Sequence, residues 1–143
     1  MKLAIGGDHA GFQLKEKYIE KIEKLGHEVK DFGPFSEESC DYPDFAHQVA
    51  GGVQNKEFDL GIVICGSGNG VNMVANKYSD VRSALCWQAD LAKMAKEHNN
   101  ANVLAVPARY ISEEEAFAIL TTFLTTSFEG GRHERRVNKI ACA

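Results

Sequence analysis

Cys65 closes the apolar run Leu60–Cys65 (LGIVIC) and opens directly into Gly66-Ser67-Gly68-Asn69-Gly70, which makes this stretch the part of the chain best equipped for chemistry. Glycines at 66, 68 and 70 allow backbone N–H groups to converge on a concavity at the start of a helix, where an anion or a developing oxyanion is stabilised. A tight turn that only needs small residues would use the same glycines. The spacing is G-x-G-x-G, not the dinucleotide pattern G-x-G-x-x-G, and no Gly-Lys-Ser/Thr ending marks a P-loop. A thiol at that place can serve as base or nucleophile, since helix N-termini favour thiolates. The plainer reading is a small buried hydrophobe.

Other candidates are scattered. Asp8-His9 follows the first apolar run and offers a carboxylate beside an imidazole, suited to proton transfer or to binding sugar hydroxyls; Asp8 would equally serve as a helix N-cap. His98-Asn99 closes a helix, where a cation is favourable in any protein. Arg132 and Arg136 are four apart and share a helix face, forming either a fork-shaped phosphate clamp or a solvated basic end. Arg109 follows the fifth strand and reaches the same sheet edge as Cys65. His27, His47 and His133 show no comparable setting, and the first two read as surface residues.

The elements that must position these residues alternate along the chain. Strands are expected at Lys2–Gly6, His27–Phe32, Leu60–Cys65, Val81–Cys86 and Val103–Val106. Helices are expected at Phe12–Leu25, from Asp41 onward, after Gly70 through Lys77, at Gln88–His98 and at Ser112–Thr126. A short terminal helix runs from about Arg132 to Ile140. Periodic apolar residues and the Ser112/Glu115 capping-box spacing support them. Five βα units imply one α/β domain over residues 1–143: a Rossmann-like three-layer sandwich with helices on both faces of a five-stranded parallel sheet, and a C-terminal helical tail. With strand order 2-1-3-4-5, strands one and three meet at the switch point. Their loops, Gly7-Asp8-His9 and Cys65–Gly70, then share one mouth.

Composition narrows the class. A net charge of −4 argues against nucleic acid, although residues 128–143 carry a local excess of two positive charges, as befits a small anion. No apolar stretch is long enough to span a membrane and the N-terminus lacks a signal-peptide pattern, so the expected compartment is the cytoplasm. The four cysteines, Cys40, Cys65, Cys86 and Cys142, have neither CxxC nor metal-ligand spacing and are expected as free thiols; no metal site is expected.

Taken together, GGDHAG at 6–11, DYPDFA at 41–46, ICGSGNG at 64–70, ANK at 75–77, EHNNANVLA at 97–105 and FEGGRHERRV at 128–137 resemble the type B ribose-5-phosphate isomerases over nearly the whole chain. The resemblance implies aldose–ketose isomerisation of D-ribose 5-phosphate to D-ribulose 5-phosphate through an enediolate, in the non-oxidative pentose phosphate pathway and without a cofactor. It assigns the C2 base to Cys65, enediolate stabilisation to Ser67 and the Gly66, Gly68, Asn69 and Gly70 backbone, and ring opening to His98. Asp8, His9, Asn99, Arg109, Arg132 and Arg136 match ligand-binding positions. It further implies a homodimer or homotetramer in which His98, Asn99 and the three arginines come from the neighbouring chain. Relatives that lack the cysteine use a glutamate where this chain has Val71. Ser67 stands where many members have Thr, and Pro107 replaces a common Gly, with an expected small shift of Arg109. Allose-6-phosphate isomerisation is the nearest alternative. A non-catalytic nucleotide- or anion-binding module and a Cys65/His98 thiol hydrolase are the readings of other classes.

Overall fold

The computed structural model describes residues 1–142. Five parallel strands form one sheet: β1 (Lys2–Gly7), β2 (Glu28–Asp31), β3 (Leu60–Cys65), β4 (Ser83–Leu85) and β5 (Val103–Pro107). Six α-helices accompany them among the described residues: α1 (Phe12–Lys24), α2 (Tyr42–Gln54), α3 (Asn69–Ala75), α4 (Ala89–Asn99), α5 (Glu113–Thr125) and α6 (Arg132–Val137). A one-turn 3-10 helix at His9–Gly11 bridges β1 and α1.

The strand order is β2-β1-β3-β5-β4, which corrects the expected 2-1-3-4-5 at its last two places. The cause is the difference between the two strands. β5 (VLAVP) is an unbroken apolar run, buried at every residue, and suits a position with neighbours on both sides. β4 keeps only three residues, all partly exposed, and occupies the edge. The switch point between β1 and β3 is unaffected, with Gly7 opposite Ile64, and β3 lies beside β5 with Cys65 opposite Pro107.

Alternation along the central strands divides the core. Leu3, Ile5, Ile62, Ile64, Leu104 and Val106 point to one face and pack with Tyr18, Ile22, Ala92, Ala95, Ile119, Leu120 and Phe123 from α1, α4 and α5. Ala4, Val63, Cys65, Val103 and Ala105 point to the other, against Ala46, Val49, Ala50 and Val53 of α2 and Val71 and Ala75 of α3. The sulfur of Cys65 is therefore directed to the α2–α3 side by the strand period alone.

Two local devices fix the elements around the mouth. Ser112 Oγ accepts the Glu115 amide at 3.1 Å while Glu115 accepts the Ser112 amide at 2.9 Å, the reciprocal cap expected for α5. Lys15 is fully buried in α1 and holds Asp31 at the end of β2 at 2.7 Å, and Asp31 also accepts the Gly33 amide at 2.8 Å. A buried ammonium is tolerated only when paired in this way. The chain leaving β2 is thereby tied to β1, where the Gly33 carbonyl accepts the Gly7 amide at 3.0 Å.

Candidate active site

The ends of β1, β3 and β5 surround a cavity of about 360 Å³ lined by Asp8, Tyr42, Cys65, Gly66, Ser67, Gly70, Arg109 and Tyr110. Parallel topology brings these residues together, because ligands of open α/β sheets settle beyond the carboxyl ends of the strands at the switch point. The walls are laced together by backbone. Ala108 N–H donates to the Cys65 carbonyl at 2.9 Å and Arg109 N–H to the Gly66 carbonyl at 3.1 Å, while Asp8 N–H donates to the Ile64 carbonyl at 3.0 Å.

Cys65 forms part of the floor and is only 5% exposed. The Gly68 amide donates to its sulfur at 3.2 Å. Gly68 makes this possible with a left-handed backbone, φ 75°, and any Cβ there would strike Leu85 Cδ1 and stand 3.1 Å from the Pro107 nitrogen. The expected amide nest is thus partly committed to the protein. Gly68 serves the thiol and the Asn69 amide donates to Ser67 Oγ at 3.3 Å. Gly70, in the first turn of α3, is among the amides a helix leaves without an internal acceptor, and it lines the cavity. Asn69 instead borders a neighbouring hollow with Ser67, Leu85, Trp87, Pro107 and Tyr110.

Asp8 is the N-cap that its plainer reading expected, and it stands at the mouth. One carboxylate oxygen caps the 3-10 turn, accepting the Gly11 amide at 3.0 Å, while the residue also lines the cavity. His9 stands just behind it, its Nδ1 accepting the Cys40 amide at 3.3 Å, which leaves Nε2 to carry the proton in the neutral ring. The Arg109 side chain folds across Gly66, its guanidinium 3.3 Å from where a Cβ of residue 66 would project, so Pro107 does not divert it from the mouth; its place beside its own chain's Cys65 corrects the expectation that the neighbouring chain supplies all three arginines. Tyr42 and Tyr110 were not singled out from the sequence. Tyr42 packs its ring on Gly70, and Tyr110 stands 76% exposed at the rim. Their signal was adjacency, Tyr110 to Arg109 and Tyr42 to the start of α2.

His98, Asn99, Arg132 and Arg136 are not at this mouth. α4 leaves the carboxyl end of β4 and returns to the start of β5, so its last residues lie at the amino edge of the sheet; Asn99 shares a cavity with Ser83, at the beginning of β4, and Ala101. Four peptide steps along β5, roughly 13 Å at strand rise, separate that edge from Cys65's neighbour Pro107. Here the 128–131 turn docks on α4, Glu129 N–H donating to the Glu97 carbonyl at 3.1 Å, and α6 follows. His133 is buried, which corrects the reading that set it apart from the site histidines: its ring stacks on His98 with centroids 4.2 Å apart at 13°. Glu129 faces both, at 4.0 Å from His98 Nε2 and 3.7 Å from His133 Nε2. Desolvation, then the charges of His98 and Arg132, hold the His133 imidazolium below its ordinary range. Arg132 and Arg136 are exposed on α6, and among the described residues neither has a carboxylate within 4.0 Å.

The sequence matches the Ribose/Galactose Isomerase family over residues 3–140. Ribose-5-phosphate isomerase B of Escherichia coli (strain K12) is 42% identical over 139 residues, covering 97% of this chain and 93% of that protein. A ribose 5-phosphate isomerase of Thermotoga maritima superposes with a TM-score of 0.95 at 51% identity, covering 98% of this chain and 97% of that one. Ribose-5-phosphate isomerase B of Mycoplasma genitalium with bound ribulose-5-phosphate gives a TM-score of 0.93 at 43% identity, covering 97% and 93%.

Proposed function

The chain belongs to the ribose/galactose isomerase family, and from that premise we propose that it interconverts D-ribose 5-phosphate and D-ribulose 5-phosphate in the pocket around Cys65. The carrying observation is Cys65, its sulfur fastened by the Gly68 amide, in the lining of one cavity with Ser67 and the first turn of α3. Cys65, as thiolate, takes the C2 proton of the open-chain aldose. The electron pair moves to the C1 oxygen, giving an enediolate. Ser67 and the Gly70 amide stabilise that negative charge. Once a proton has passed between the two oxygens, the thiol returns its own to C1 and the ketose results.

Ribose phosphates are largely furanose rings, so an acid/base group must first open the ring. His98 takes that part, with Arg132 and Arg136 as the phosphate clamp and Asn99, Asp8, His9 and Arg109 as further binding groups. Binding energy from the fixed phosphate end positions the reacting carbons. Since His98 and the Arg132/Arg136 pair lie at the sheet edge opposite Cys65, a second copy of the chain supplies them, and the working unit is at least a symmetric homodimer. Chemistry at Cys65 itself enlists no cofactor. All four thiols are unpaired, which supports a reducing compartment, the cytoplasm. No helix among the described residues is long and apolar enough to cross a membrane.

A coupled assay on ribose 5-phosphate, with allose 6-phosphate as the competing substrate, tests the reading. Turnover on the pentose is expected, and Cys65→Ala should lower it by about 10²–10⁴, the range for a general base. A variant as fast as the parent removes Cys65 from the mechanism.

A further inference from the structure

His133 Nε2 is buried and makes no hydrogen bond, an uncommon state for a ring nitrogen and one that normally has a cause. It does not face apolar packing alone. The Glu129 carboxylate stands 3.7 Å from it and 4.0 Å from His98 Nε2, and one candidate ligand atom from each of the three residues lies within 4.8 Å of the others. Two imidazoles and one carboxylate, each from a different turn of the α4–α6 corner, form the donor set of a three-ligand zinc site with one position left open. We propose that His98, Glu129 and His133 bind a zinc-class divalent cation, and that the ion inhibits the enzyme by occupying His98; the inhibition rests on the ring-opening part assigned to His98 above, the binding does not.

The site needs a modest closure. Tetrahedral bonds of 2.0–2.1 Å put ligand atoms about 3.3 Å apart. The stacked rings must also splay, because parallel imidazoles direct their lone pairs side by side. Two of the three ligands can move: His98 ends α4 with its side chain 37% exposed, and Glu129 lies in a turn with its side chain 49% exposed. His133 stays as the fixed member. The surroundings select the metal. Arg132 and Arg136 on α6 place positive charge near the cluster and oppose any cation held by charge alone, so hard ions such as Mg²⁺ are excluded, whereas a borderline ion gains imidazole bonds that offset the repulsion. Access is assured, because substrate must itself reach His98.

Calorimetry with zinc chloride and with magnesium chloride tests the site on the parent protein and on Cys65→Ala, His133→Gln and Glu129→Gln. One Zn²⁺ per chain is expected in the parent and in Cys65→Ala, no heat with Mg²⁺, and affinity weaker by about tenfold or more in His133→Gln and Glu129→Gln. Zinc should also slow turnover of ribose 5-phosphate, with recovery on adding a chelator. Unchanged affinity in both ligand variants, loss of binding in Cys65→Ala, equal binding of Mg²⁺, or absence of zinc binding in the parent would overturn the site. Since Glu129 is half-exposed, its variant keeps the test clear of folding defects. Zinc binding as described with unchanged turnover would overturn the inhibition. A protein that binds zinc this way yet converts no sugar phosphate would leave the site standing and remove the isomerase reading instead.

Discussion

At the carboxyl edge of the sheet, a single chain assembles a floor, walls and a thiol from the ends of three adjacent strands, with Cys65 5% exposed and fastened by the Gly68 amide. At the amino edge, the end of α4 leaves His98 partly exposed and the short α6 exposes Arg132 and Arg136, while the His133 ring is buried against His98. Under the proposed function, the first region serves proton abstraction and the second serves the anionic, ring-closed substrate. Neither is a complete site. The separation follows from parallel topology, since strand ends and the ends of the returning helices fall on opposite edges.

The carboxyl edge is most easily damaged at Gly68. Ala in its place meets Leu85 and a left-handed backbone, so unfolding stability should fall by about 1–2 kcal/mol from the backbone alone. Turnover should drop on the order of 10², because the loop that holds the thiol and the donors shifts. Denaturant titration and steady-state kinetics check both; a variant with normal turnover would show that the loop only makes a turn.

Arg136→Gln probes the other region. Under the proposed clamp, removing this charged partner of the phosphate should cost about 1.5–3 kcal/mol of binding, which is roughly 10–150-fold in KM for ribose 5-phosphate. Turnover at saturation and the melting temperature should hold, because the side chain is exposed and unpaired among the described residues. An unchanged KM removes the clamp.

A smaller effect belongs to a buried thiol away from the pocket. Burial pushes the Cys86 thiol up to about 12 from its usual 9.0. The folded protein keeps that proton where the unfolded chain loses it, so the stabilisation is complete below pH 9.0 and is lost as pH rises toward about 12. Melting temperature should decline over that window, and Cys86→Val should make the decline shallower. An identical slope in the variant would contradict the assignment.

Much of the carboxyl edge was legible in the sequence because it is local. A strand, its terminal cysteine and a glycine loop are contiguous, and the β1–β3 pairing follows from the parallel class. What was not legible depended on docking between distant segments. The exchange of β4 and β5 reflects how fully each strand can be buried, a property of the finished sheet. The His98–His133 stack joins α4 to α6 across 35 positions of chain and has no periodic signature. The buried Lys15–Asp31 pair likewise joins α1 to the end of β2 with no signal in the spacing of the two residues.

Mixing two inactive chains offers the most direct trial of the two-region account. Cys65→Ala carries an intact amino edge and His98→Asn an intact carboxyl edge, so a mixed dimer holds one whole site and one doubly damaged site. After co-refolding in equal amounts, half the dimers are mixed, and activity on ribose 5-phosphate should return to about a quarter of the parent value. Activity no higher than the average of the two variants alone would contradict a site built from both edges.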